Sequence, residues 1–240
     1  KRVAVVTGSN KGIGLAIVRG LCKEFDGDVL LTARNQSLGL KAVQDLEKEG
    51  LCPKFHLLDV TKAETILKLK AFLKETYGGL DVLINNAGIA SFISATGNTG
   101  DDAETIVRTN FTGLCDVSEA LFPLLRPHAS CIKLGIHGDH GWPTGKLTAG
   151  YGVSKIGVSV MSFIQQRDLQ GDPRPDIVVN ACCPGYVMTD LTGQNGTKTT
   201  DQGAETPLYL AMLPPNTKDP RGQLVSEKQT VDWNSLISLL

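Results

Sequence analysis

Short apolar runs alternate along the chain with longer stretches whose apolar positions recur at helical spacing. Val3-Ala-Val-Val6 reads as a buried strand, and Leu15-Ala-Ile-Val18 with Leu21, Cys22 and Phe25 reads as the apolar face of a helix. Asp28-Val-Leu-Leu-Thr32 is a second strand, followed by a helical pattern from Ser37 to Glu49 that Gly50 closes. Phe55-His-Leu-Leu-Asp59 is a third strand, Ala63 to Tyr77 a helix ended by Gly78-Gly79, and Val82-Leu-Ile-Asn85 a fourth strand. A long helix is predicted within Asp102 to Phe122, a fifth strand at Cys131-Ile-Lys-Leu134 and another long helix from Tyr151 to Leu169. Ile177-Val-Val-Asn-Ala181 is a sixth strand and Leu224-Val-Ser226 a short seventh. This β-α alternation implies right-handed crossovers and a parallel, doubly wound sheet of about seven strands.

The turn between the first strand and helix is Thr7-Gly-Ser-Asn-Lys-Gly-Ile-Gly14. Strand, glycine-rich turn and helix make up a dinucleotide-binding unit: Gly8 permits the tight turn, Gly12 lets backbone approach a pyrophosphate, and Gly14 permits close helix packing. The spacing is Gly-x-x-x-Gly-x-Gly rather than the usual Gly-x-Gly-x-x-Gly, and a plain glycine-rich turn is the alternative reading. With no repeat, low-complexity tract or linker in view, the expectation is an α/β chain forming a single Rossmann-type domain over residues 1–240.

A second signal is Tyr151-Gly-Val-Ser-Lys155, which places a phenol and an ammonium one above the other on a helix face. A free phenol titrates near about 10, and a fixed ammonium beside it is expected to pull that value down and allow proton transfer near neutral pH. The same spacing also arises as an ordinary surface pair.

At 240 residues, 41% hydrophobic and 20% charged, the chain is large enough for one well-buried core. A net charge of −1 gives no electrostatic case for nucleic acid or an acidic membrane. No apolar run spans a bilayer and no signal peptide is read at Lys1, so a cytoplasmic protein without membrane attachment is expected. Cysteines 22, 52, 115, 131, 182 and 183 have neither zinc nor Cys-x-x-Cys spacing, and most read as reduced core residues. Asn195-Gly-Thr197 is read as a polar loop rather than a glycosylation acceptor.

Taken in order, Thr7-Gly8, Asn85-Asn-Ala-Gly88, Tyr151/Lys155 and Pro184-Gly185 make the chain resemble the short-chain dehydrogenase/reductase family over nearly its whole length. The stretches Gly8 to Leu15, Tyr77 to Val82, Gly141-Trp-Pro143, Tyr151 to Gly157, Asn180 to Gly185 and Gly203 to Pro207 look most like the animal carbonyl reductase branch. The resemblance implies an NADPH-dependent oxidoreductase acting on small aldehydes, ketones and quinones. It implies Tyr151, Lys155 and Asn110 as the catalytic set, with Asn110 holding a water that links Lys155 to solvent. It implies cofactor contacts at Gly8, Asn10, Lys11, Gly12, Ile13, Gly14, Arg34, Asp59, Val60, Asn86, Ala87 and Gly88. Tyr151, Lys155, Pro184, Gly185, Val187 and Thr189 complete that set.

Charge bears on the cofactor too. The second strand runs into Leu31-Thr-Ala-Arg34 with no acid there, and Lys11 lies in the glycine turn; two cations suit a 2′-phosphate. Asp59 is expected against the adenine amine. Asn110, inside a predicted helix, is expected to distort it.

The match fails after strand five. The family places a serine there to polarise the substrate carbonyl, and an ungapped match puts Ile136 on it; no serine occurs from Cys131 to Gly150. The carbonyl reductase branch also carries a long insertion before its tyrosine, and one contiguous deletion after Leu134 explains both losses. With every other position in place, a protein that does carry this loop is the favoured reading. Thr144, Thr148 and Ser130 are poor substitutes. His137, Asp139 and His140 do not complete a metal site, and none is expected. Trp142 is a candidate wall of the substrate pocket.

With the insertion a monomer is expected; without it, the exposed helices bearing Asn110 and Tyr151 could self-associate into a dimer. Two other functions are weighed. A chain that has lost the serine could be a catalytically weak NADPH-binding sensor or scaffold. A nucleotide-sugar epimerase-type enzyme shares the Tyr-Lys pair, but little chain follows Thr189 to build its larger substrate domain.

Overall fold

The computed structural model describes residues 1–90, 100–135 and 146–232, with the backbone alone at 100–102 and 146–149. Eight strands form one sheet in the order β3-β2-β1-β4-β5-β6-β7-β8. They are β1 (Val3–Val6), β2 (Asp28–Ala33), β3 (Lys54–Leu57), β4 (Leu80–Asn85), β5 (Leu125–Leu134), β6 (Val178–Cys183), β7 (Leu224–Ser226) and β8 (Gln229–Val231). The first seven run parallel, and β8 turns back antiparallel on β7. The expected parallel sheet is present; the additional strand is a short, mostly exposed hairpin arm with little apolar signal.

Helices α1 (Gly12–Glu24), α2 (Gln36–Lys48), α3 (Ala63–Tyr77), α4 (Gly100–Val107), α5 (Gly113–Leu121), α6 (Lys146–Asp168) and α7 (Thr200–Ala211) flank the sheet. β1 shows why the two layers form. Its four residues are fully buried; Ala4 and Val6 pack toward α1, α2 and α7, while Val3 and Val5 pack toward α3 and α5. That is the alternation of a strand covered on both faces.

One element carries the distortion expected at Asn110, and two depart from expectation. The helix foreseen from Asp102 to Phe122 is broken by a π turn, Arg108–Thr112, which contains Asn110. β5 begins at Leu125, but its register on β4 shifts between Leu80 and Val82, and Pro127 and His128 (φ 66°) interrupt the regular part. α7 starts at a capping box between Thr199 and Gln202 and contains Pro207, whose presence hid the helix. It lies so close to α1 that a Cβ on Gly20 would come within 2.4 Å of Leu208.

Candidate active site

The strand order reverses between β1 and β4, and a crevice opens at their C-terminal ends, the position where doubly wound sheets take ligands. A cavity of about 630 Å³ occupies it. Its walls come from the glycine turn, the ends of β2, β3, β4 and β5, the start of α6 and the segment after β6.

The glycine turn is held by short bonds to its neighbours. Thr7 donates its backbone N–H to Ile84 O (2.9 Å), and Ser9 donates to Thr32 O (2.8 Å). Asn86 Nδ2 donates to the carbonyls of Thr7 and Gly8, both at 2.9 Å, so Asn86 braces the turn from β4 as well as lining the cavity. Gly8 and Gly12 both adopt φ 59°, and a Cβ on Gly14 would stand 2.4 Å from Asn86 Nδ2. Glycine is therefore required at these positions by conformation or by contact. Lys11, the N-cap of α1, makes no side-chain cap, and Gly12, Ile13 and Gly14 of the first turn line the cavity. A backbone cradle, a helix N-terminus and cationic Arg34 in one crevice fit a phosphate-bearing dinucleotide.

Of the expected cofactor contacts, Gly8, Asn10, Lys11, Gly12, Ile13, Gly14, Arg34, Asp59, Val60, Asn86, Ala87, Gly88, Tyr151, Lys155, Pro184 and Thr189 line this cavity. Gly185 and Val187 do not. Gly185 forms the bend after Pro184 with φ 79°, and buried Val187 turns toward Gly203 of α7. Lys11 Nζ pairs with Asp190 Oδ2 at 2.7 Å, whereas Arg34 has no ion-pair partner among the described residues. Asp59 uses Oδ1 to accept from Thr61 N (3.0 Å) and Thr61 Oγ1 (2.7 Å).

The corner that brings together Tyr151, Lys155 and Asn110 is built by α6, the π turn and the end of β5. Lys155 Nζ donates to Leu134 O at 2.8 Å and lies 5.8 Å from the centre of the Tyr151 ring. Asn110 is fully buried; its Oδ1 accepts from Ile89 N (2.8 Å) and its Nδ2 donates to Ile89 O (2.9 Å) and Ser154 Oγ (3.2 Å). A Cβ on Gly88 would stand 3.4 Å from both Asn110 Oδ1 and Lys155 Nζ, so these groups converge on one point although Asn110 is not in the cavity wall.

Electrostatics at this corner correct one expectation. Burial, with Cys183 nearby, pushes the Tyr151 phenol up to about 12, and burial pushes Lys155 down to about 8. Desolvation outweighs the attraction that helix spacing alone suggested, because the ammonium reaches the Leu134 carbonyl rather than the phenol oxygen.

Leu58, Thr61, Ile89, Thr109, Leu134, Gly135, Met188 and Asp190 also line the cavity and were not foreseen. Each lies at, or within a residue or two of, a strand end or an expected contact, which is the only signal the sequence holds for them. Ser130 sits in β5 opposite Val82 and Val178, away from the cavity. Ile136, His137, Asp139, His140, Trp142 and Thr144 lie outside the described residues, as does the side chain of Thr148. Among the described residues no cluster of three or more His, Cys, Asp or Glu could hold a metal, and no helix is long and apolar enough to cross a membrane.

Fold and crevice define a dinucleotide-binding α/β protein of the doubly wound class. Residues 2–200 match the short chain dehydrogenase family, and the chain belongs to that family. It is 43% identical over 275 residues to human carbonyl reductase [NADPH] 1, covering 96% of this chain and 98% of the human protein. The mouse protein of the same name is 42% identical with the same coverage. Among solved structures, salutaridine reductase from Papaver somniferum superimposes with a TM-score of 0.80 at 25% identity, covering 93% of this chain and 99% of that one. A short chain dehydrogenase from Burkholderia cenocepacia in complex with NADP gives 0.78 at 25% identity, covering 94% and 95%. The 275-residue alignments exceed the 240 residues of this chain, so the mammalian relatives carry a stretch with no counterpart here.

Proposed function

We propose that the protein is an NADPH-dependent carbonyl reductase that reduces small aldehydes, ketones and quinones. The observation that carries this reading is the meeting of Tyr151 and Lys155 with the glycine turn in one cavity, in a chain 43% identical to a carbonyl reductase. When bound, the nicotinamide supplies the hydride to the carbonyl carbon.

The residues of this chain do the rest. The glycine turn and the α1 N-terminus hold the pyrophosphate. Arg34, with Lys11, holds the 2′-phosphate by charge-assisted bonds. Asp59 faces the adenine. Tyr151 gives its proton to the carbonyl oxygen as negative charge develops there. A phenol held at about 12 keeps its proton at neutral pH and can give it to an alkoxide, a stronger base. Lys155 orients the nicotinamide ribose, and Asn110 supports proton return by fixing the Ile89 backbone and α6 at Ser154.

A second reading is favoured by one observation: no serine occurs from Cys131 to Gly150, where the family polarises the carbonyl. In that reading the protein binds NADPH as a sensor or scaffold and turns over slowly. Losing a preorganised donor typically costs about 10²–10³ in turnover. Quinone-dependent NADPH oxidation by a mass-verified sample separates the two. Brisk turnover from a protein heavier than 25.6 kDa by several kDa supports a reductase that carries the loop after Leu134, and such a protein is expected to be a monomer. NADPH binding with feeble turnover by a protein of 25.6 kDa supports the sensor. Brisk turnover by a protein of 25.6 kDa would place the polarising group elsewhere.

A further inference from the structure

We propose that Asp190 tunes how strongly this protein prefers NADPH over NADH, by competing with the cofactor's 2′-phosphate for the ammonium of Lys11. The proposal rests on the assignment of Lys11 and Arg34 to that phosphate. Lys11 Nζ donates to Asp190 Oδ2 at 2.7 Å, joining the glycine turn to the segment after β6. Both residues line the cavity, as does Gln194, whose Nε2 donates to Asp190 Oδ1 at 3.2 Å. The bond from Lys11, with a smaller contribution from Gln194, holds the Asp190 carboxyl below its ordinary range, so Asp190 is charged at neutral pH.

The other carboxylate in the cavity wall is placed differently. Asp59 is engaged by Thr61 through Oδ1 and lies 3.9 Å from Lys62 through Oδ2, so it draws on neither of the phosphate cations. Asp190 alone of the two divides the charge of Lys11. An ammonium that already answers one anion attracts a second less strongly, and the loss falls on whichever ligand group needs that ammonium. NADPH has such a group and NADH does not.

The ion pair is not what holds the segment in place. Thr192 Oγ1 donates to Val187 O at 2.7 Å and accepts from Thr189 N at 3.1 Å, which ties the segment to itself. A Cβ on Gly12 would stand 3.5 Å from Thr189 Cγ2, and one on Gly203 would meet both Val187 and Ile13. These contacts seat Asp190 beside the glycine turn whether or not it is charged. The pair itself is open to water, with side chains 67% and 66% exposed, so it adds little to stability. Its consequence is electrostatic, on the charge that Lys11 offers a phosphate.

The test measures NADPH and NADH affinity by fluorescence titration on the full chain, Asp190→Asn, Lys11→Ala and the double variant. Asp190→Asn removes the charge and keeps the size of an exposed side chain. It should tighten NADPH about two- to fivefold and change NADH by less than about 1.5-fold. In the Lys11→Ala background it should leave the ratio of the two affinities unchanged. Asp190→Glu, which keeps the charge, should keep the wild-type ratio, and the gain from Asp190→Asn should shrink as salt is raised. An equal gain for NADH would show general repulsion and overturn the proposal. Weaker binding of both cofactors would make the pair a latch, and a selective gain that survives Lys11→Ala would act through another group; either result overturns it. A Lys11→Ala loss equal for both cofactors would remove Lys11 from the 2′-phosphate and the proposal with it. A loss confined to NADPH, beside an Asp190→Asn variant that changes nothing, would overturn the proposal alone.

Discussion

The glycine turn and the Tyr151 corner lie in the same cavity but are made differently. The turn is backbone: Gly8, Gly12 and Gly14, held by Thr7, Ser9 and Asn86 through uncharged bonds. The corner is made of titratable side chains withdrawn from water, with Tyr151 pushed up and Lys155 pushed down by burial. A backbone cradle needs no particular protonation state. A buried lysine held by one carbonyl costs folding energy, and such a cost is tolerated where chemistry requires the group.

Lys155→Met sharpens this contrast most. Carbonyl-dependent turnover should fall by about 10²–10⁴, since the ribose is no longer held and the proton path is cut. The fold should gain. Lys155 is held at about 8 in the fold against an ordinary 10.5, so the unfolded chain binds more protons between those values and wild-type stability rises with pH across that window. The variant should be more stable below pH 8, by of order 1–3 kcal/mol, and its advantage should fade as pH climbs toward 10.5. Chemical denaturation at pH 7 and pH 10 measures both. A variant less stable at pH 7 would contradict the cost.

Gly14→Ala attacks the other half. The new Cβ meets Asn86 Nδ2 at 2.4 Å and Gly8 O at 2.8 Å, so the turn must shift, at about 1–3 kcal/mol. NADPH affinity should drop roughly tenfold or more, without the pH signature of the lysine variant. Titration of NADPH fluorescence reads this, and unchanged affinity would show that the turn is not the cradle. Arg34→Asp should weaken NADPH about tenfold or more while changing NADH much less, because a charge-assisted contact is replaced by a like charge. Equal losses for both cofactors would move the 2′-phosphate away from Arg34. Lys11→Ala should have the smallest effect, a fewfold loss, since Lys11 already divides its charge with Asp190.

The cradle was the more legible half. Its strand, turn and helix are contiguous, and local spacing is enough to read them; α3 was also legible to the residue, ended by Gly78 in the left-handed region. The distortion at Asn110 was legible because a side chain that competes with backbone bonds announces itself in sequence. What the sequence did not carry was tertiary. Whether the ammonium at Lys155 faces a phenol or a carbonyl depends on where β5 ends, and the direction of both acidities depends on burial. Helix α7 was hidden by Pro207, and β8 by its brevity and exposure.

The central claim is that one residue of the corner carries the proton while the cradle binds alone. Tyr151→Phe removes a single oxygen and leaves every contact of the glycine turn in place. NADPH affinity and carbonyl-dependent NADPH oxidation should be measured on the same preparation of this variant. The account predicts affinity within about twofold of wild type and turnover reduced by about 10²–10⁴. Turnover close to wild type would remove Tyr151 from the chemistry, and a matching loss of NADPH affinity would show that the two halves are not separable.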